Sequence, residues 1–262
     1  MNPLSEDLAV VRSSLIATGL PVIKRNHNYQ QKDLFLFEIG NCYFPEKDAE
    51  LPGQKNNLLL VISGNEEPVF WDSNPRPADL YTLKGILEDL ADYFKAGDVT
   101  FSPSTHFAFE KDLSFELNLG KTSIGYAGKL SGNAMKAADI KSDVFIAELD
   151  FDKIVELIPN ELSFGELDRF PSADRDIAIL VDDSVKADEV KKEIIDNGKG
   201  LVKEVWVFDL YKGKNIPKDK KSLAFGVKYR LPDRTLKDNE VDEAHNRIAE
   251  SLKDKFKAEL RC

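Results

Sequence analysis

The sequence is short of the residues that bind metals or staple small folds, with two cysteines, three histidines and two methionines in 262 residues. Cys42 falls in an apolar run and Cys262 is the last residue, so neither a disulfide framework nor a CxxC metal clip can be drawn. His27, His106 and His245 are scattered along the chain, which argues against zinc and for surface or capping roles. No apolar stretch approaches the roughly 18 residues of a membrane span. Glu6 and Asp7 stand where a secretory leader would carry basic residues, so the expected location is the cytoplasm. Phosphate-binding loops of the GxxxxGK[ST] and GxGxxG types are missing, as is a GxSxG nucleophile elbow. Ser13 and Ser14 lack a triad pattern, and Asp174, Arg175 and Asp176 read as a charged strand entrance rather than an acid–base cluster.

What the chain has in quantity is acidic charge, unevenly spread. Lys plus Arg total 36 and Asp plus Glu total 46, a formal net charge of -10. From Asp168 onward there are 21 basic and 20 acidic residues, against 15 and 26 before it, so the acidity sits in the first part. Residues 203–237 carry 10 basic side chains and 4 acidic ones. A basic ribbon on an acidic protein points to a local, directed contact with a polyanion. Within it, residues 205–211 and 222–229 read as two aromatic-rich strands joined by a lysine-rich loop, with Val205, Val207 and Asp209 alternating with Trp206, Phe208 and Leu210. That pattern suits a sheet face that receives single-stranded nucleic acid.

The length predicts two domains, and 42% apolar content is enough for two cores. Pro3 and Ser5 ahead of Leu8, Val11, Leu15 and Ile16 predict a first helix, with a break at Gly19 and Pro21 and a second helical run over 22–28. Strands are expected at 34–44, 57–64, 99–101, 115–119, 123–129 and 144–150, and helices at 78–94 and from about 152. The proline-flanked stretch 161–170 reads as a linker between a first domain, 1–160, and a second, 171–262. In the second, strand 176–181, helix 187–197, strands 201–211 and 222–229, helix 238–256 and a possible strand at 258–261 give βαββαβ, the ferredoxin-like plan. The whole is α+β.

Four blocks carry a resemblance: NPLSEDLAVVRSSL at 2–15, LFEIGNCYF at 36–44, RFPSADRDIAILVDD at 169–183, and VWVFDLYKGKNIPKDKKSLAF followed by RTLKDNEVDEAHNRI. In order and spacing the chain resembles the C-terminal part of the bacterial phenylalanyl-tRNA synthetase β subunit. It looks like an excised portion of a longer subunit, without that family's N-terminal tRNA-binding and editing modules. The resemblance implies a class II synthetase-like antiparallel sheet domain that does no catalysis, then a ferredoxin-fold anticodon-binding domain. Class II chemistry needs arginines to hold ATP. The equivalent strand here ends Cys42-Tyr43-Phe44-Pro45, and the later segment Gly125-Tyr126-Ala127-Gly128-Lys129-Leu130 has glycines without an arginine. Arg12 then reads as structural or interfacial.

The resemblance also implies no cofactor in this chain, with ATP and Mg²⁺ used at the partner α subunit of an α2β2 heterotetramer, and tRNA(Phe) as the RNA partner. It places anticodon contacts on Tyr211 as a stacking platform, Asp209 as an acceptor and Ser222 as a hydroxyl partner. Phosphate contacts fall to Lys212, Lys214, Lys218, Lys220 and Lys221, and subunit contact to Leu8, Val11 and Leu15. The competing reading is an adaptor, a pseudo-enzyme domain that binds proteins and touches no RNA.

Overall fold

The computed structural model describes residues 10–47, 50–72, 74–161, 169–214 and 216–261. The chain divides into two compact units, Met1–Leu162 and Ser163–Cys262. In the first, α1 (Leu15–Asn28), β1 (Leu34–Phe44), β2 (Gly53–Ser63), α2 (Leu80–Tyr93), β3 (Val99–Pro103), β4 (Phe109–Leu119), β5 (Thr122–Leu130), α3 (Gly132–Ala138), β6 (Val144–Asp150) and α4 (Phe151–Leu157) follow one another. Its six strands form one sheet in the order β1-β2-β6-β5-β4-β3, with every pairing antiparallel.

The middle of this sheet is covered on both faces, which is why β2 reads as the unbroken apolar run Leu58-Leu59-Leu60-Val61-Ile62 instead of an alternation. Leu58 and Ile62 join Leu83, Leu87 and Leu149 in one core, while Leu59 and Val61 join Leu15, Ile16, Ile23 and Ile146 in the other. β1, at the sheet's edge, is less covered: Phe35, Phe37 and Ile39 are 46%, 74% and 49% exposed. These three alternate along the strand and therefore share a face.

The first helix differs from the expectation. Leu8 lies outside the described residues, and Val11 precedes the helix and is exposed. The helix begins at Leu15, where Ser14 caps it by accepting from the Ile16 amide at 3.1 Å. Ser14 also donates to Glu148 at 2.5 Å, and the Leu15 amide donates to the other oxygen of the same carboxylate at 2.8 Å. Asn57 adds a third donor at 2.8 Å, so Glu148 on β6 ties the helix start to β2. Gly19 and Pro21 do not break the helix. A Cβ on Gly19 would come within 2.7 Å of Leu59, so this glycine permits close helix–sheet approach, and burial of Ile16 and Ile23 outweighs the hydrogen bond that Pro21 forgoes. Helix α3 was not expected; at seven residues it is too short for its periodicity to stand out.

The second unit runs β7 (Ala173–Asp182), α5 (Ala187–Asn197), β8 (Val202–Tyr211), β9 (Lys220–Tyr229), α6 (Asp238–Phe256) and β10 (Glu259–Arg261). The sheet order is β10-β7-β9-β8, again antiparallel throughout, which is the arrangement of a ferredoxin-like fold. Both helices cover one face. Val190 and Ile194 of α5 and Val241, Ala244, Ile248 and Leu252 of α6 pack on Ile177, Ile179, Val181, Leu223, Phe225 and Val227. Among the described residues the other face has no helix of this unit over it, and it holds the residues of interest.

At the rim of the second core, the Tyr229 hydroxyl meets His245 Nδ1 at 3.1 Å. Burial pushes the tyrosine pKa up to about 12 and, with Arg175 nearby, lowers that of His245, against a smaller opposing pull from Asp242. A histidine whose folded pKa is depressed gives up stability as pH falls through its unfolded value of about 6.5. The melting midpoint of this unit should therefore drop between pH 7 and 5, and His245→Gln should reduce the drop. Emission from Trp206 in a Trp71→Phe background follows this unit alone.

Candidate nucleic-acid interface

Strict alternation from Val205, which is buried against the helices, would put Val207, Asp209 and Tyr211 on the covered face of the second sheet. The structure corrects this. An irregularity between Val207 and Asp209 shifts the register, so that Trp206 pairs with Gly226, Asp209 with Ala224 and Tyr211 with Ser222. Positions 222, 224 and 226 of β9 alternate with the fully buried Leu223 and Phe225, so all three pairs stand on the open face. One bulged residue is enough to re-aim every side chain after it.

Tyr211 is 42% exposed, and its ring lies back over the turn at Gly213, where a Cβ would sit 2.2 Å from Oη. Asp209 is exposed and makes no side-chain hydrogen bond or ion pair among the described residues, leaving both oxygens available as acceptors. Ser222 lies directly across from Tyr211 but is only 9% exposed, so anything reaching its hydroxyl must approach along the strand pair. Trp206, which sequence reading places only in the alternation, is on the same face. Its indole lies across Gly226, where a Cβ would be 2.3 Å from the ring. The available signal was that glycine, a residue with no packing advantage in an otherwise apolar central strand.

The five lysines separate into two groups. Lys212 pairs with Asp183 at 2.5 Å and holds the pKa of that carboxyl below its ordinary value. Lys221 donates to the Asp183 carbonyl at 2.8 Å, and Lys220 reaches Glu259 at 2.7 Å, which raises the lysine's pKa. Lys214 and Lys218 are exposed and have no carboxylate partner among the described residues. Removing Lys214 and Lys218 together should flatten the dependence of log affinity for single-stranded RNA on log salt by about 0.7 for each phosphate no longer neutralised. Lys220→Ala and Lys221→Ala should flatten it less, because those charges are already partnered. Anisotropy titrations across a salt series would separate the two groups.

The first unit holds a cavity of about 520 Å³, lined by Glu148, Asp150, Lys55, Lys153, His106 and Tyr126 among others. Its cations are committed: Lys55 and Lys153 each stand 3.6 Å from Asp150, and no arginine lines it among the described residues. His106 stacks on Tyr126 with ring centroids 5.1 Å apart, and burial lowers its pKa. Arg12 is occupied outside the cavity, donating to Glu38 at 2.6 Å and to the Asn41 carbonyl at 3.0 Å. Cys42 is buried, and burial together with Glu148 pushes its thiol pKa up to about 11, which removes it as a nucleophile. No cluster of three metal-ligating side chains occurs among the described residues.

Residues 1–151 match the family model described as the phenylalanyl tRNA synthetase beta chain CLM domain. The chain belongs to that family. Residues 168–261 match the ferredoxin-fold anticodon binding domain, in agreement with the sheet order of the second unit. The chain is 38% identical over its whole length to the phenylalanine–tRNA ligase beta subunit of Syntrophotalea carbinolica, covering 33% of that protein. It is 34% identical over 99% of its length to the corresponding subunits of Symbiobacterium thermophilum and Bacillus cereus, covering 29% and 32% of them. The chain thus spans about a third of the length of the curated relatives it matches. No helix among the described residues is long and apolar enough to cross a membrane.

Of the three residues to which the resemblance assigns subunit contact, Leu8 lies outside the described residues. Leu15 is fully buried in the unit's own core and has no surface to offer, whereas Val11 is 63% exposed. Phe35, Phe37 and Ile39 form an exposed apolar row on the edge strand β1.

Proposed function

We propose that this chain serves a phenylalanyl-tRNA synthetase β subunit as a noncatalytic scaffold for the α subunit and as the reader of the tRNA(Phe) anticodon region. The observation that carries the proposal is the re-aiming of Tyr211 and Asp209, by one bulge, onto the open face of a ferredoxin-like sheet, on a strand that runs into the connection carrying Lys214 and Lys218, which have no carboxylate partner among the described residues. Unpaired bases present faces for stacking and edges for hydrogen bonding, and this face offers a ring and a carboxylate, with cations in the connection that follows. The noncatalytic part of the reading is supported by the first unit's cavity, whose two lysines are drawn to Asp150 and whose described lining supplies no arginine to ATP. Aminoacylation chemistry, with ATP and Mg²⁺, then belongs to the α subunit.

The test is titration of the chain with a phenylalanine anticodon stem-loop and with the same stem carrying a scrambled loop, alongside phenylalanine-dependent pyrophosphate exchange. Preference for the native loop and no exchange are expected. Equal or absent binding of the two RNAs would favour the adaptor reading, and exchange by the pure chain would overturn the noncatalytic assignment.

A further inference from the structure

The open sheet face carries a second aromatic platform besides Tyr211. Trp206 and Tyr211 stand opposite Gly226 and Ser222, four residues apart on β9, or roughly 14 Å at the rise of an antiparallel strand. That exceeds the approximately 3.4 Å between bases stacked in one strand, so the two rings cannot serve one base and its immediate stacked neighbour. Trp206 is 37% exposed, and it lies flat because Gly226 has no side chain. The ammonium of Lys228 is 5.5 Å from the indole centroid, and Glu204 holds it there at 2.7 Å. A large π face fixed against the sheet, with a tethered ammonium over the ring, combines the stacking surface and positive charge that sequence-tolerant sites for single strands use.

We propose that Trp206 forms a second nucleotide subsite, in which an unpaired RNA base stacks on the indole. The inference rests on the reading of this face as an RNA interface. It gives the face two anchoring points with Asp209 between them, so that a single strand crosses along the β8–β9 pair instead of touching it at one residue.

The chain has two tryptophans, so in a Trp71→Phe background Trp206 is the sole indole emitter. Titrating that full chain with the phenylalanine anticodon stem-loop should quench its emission, with the midpoint given by anisotropy of the labelled RNA. Trp206→Leu should weaken binding about fivefold or more, the lower bound for loss of one stacked base. Gly226→Ala, which leaves the indole in place chemically but pushes it off the sheet, should weaken binding in the same direction. If the RNA binds and Tyr211→Ala weakens it, while Trp206 emission and the affinity of Trp206→Leu are unchanged, the second subsite is wrong and the anticodon reading stands. If the RNA does not bind at all, both fall together.

Discussion

Tyr211→Ala is expected to weaken binding of the phenylalanine anticodon stem-loop by about 1 to 3 kcal/mol, the usual loss when one stacked base is deprived of its ring. At about 1.4 kcal/mol per tenfold, that is a loss of about fivefold to over a hundredfold in affinity. Tyr211→Phe should lose little, because the π face remains and the hydroxyl, lying toward Gly213, is not what a base would stack on. Stability should hardly change in either variant, since the ring is outside the helix-covered core. A scrambled loop supplies the contrast: similar losses on both RNAs would make Tyr211 a stacking platform without a part in recognition. No loss on either, with the fold intact, would leave the ring as packing over a turn and would move the adaptor reading ahead.

The second large effect concerns assembly. Phe35, Phe37 and Ile39 lie on one face of β1, an edge strand with one side of its backbone unpaired by this sheet. An apolar row at a sheet edge is costly to leave in water and is the kind of surface a subunit interface covers. Placing Asp at Phe37 and at Ile39 should abolish co-purification with the α subunit, because each carboxylate would have to be desolvated without a partner. A loss of over a hundredfold is expected, corresponding to about 3 kcal/mol or more. Phe37→Leu, which keeps the surface apolar, should retain assembly. Since these side chains are already half-exposed or more, the monomer should melt as before. Unchanged assembly of the double variant would remove β1 from the interface and direct attention to Val11.

By itself the sequence determined the inventory of elements wherever the burial signal is local. Strands β1 and β6 and helices α5 and α6 have the extents their residue patterns predict, because each carries an apolar run or a 3.6-residue stripe with turn or cap residues at its ends. The βαββαβ order of the second unit, and with it the ferredoxin-like plan, follows from that inventory. The same holds for the basic ribbon. Tertiary structure decided what depends on distant partners. Helix α1 starts at Leu15 because Ser14 is held by a carboxylate 134 residues away, and it continues through Pro21 because its apolar side packs on β2. Asp209 and Tyr211 face outward because β8 carries an extra residue against β9 between Val207 and Asp209, which no alternation rule can anticipate. Lys212 and Lys220 are partnered by Asp183 and Glu259 on neighbouring elements, leaving Lys214 and Lys218 free among the described residues. Local periodicity says which residues want burial; only the register between strands and the geometry of cross-chain contacts says which face each one reaches and which charges remain for a ligand.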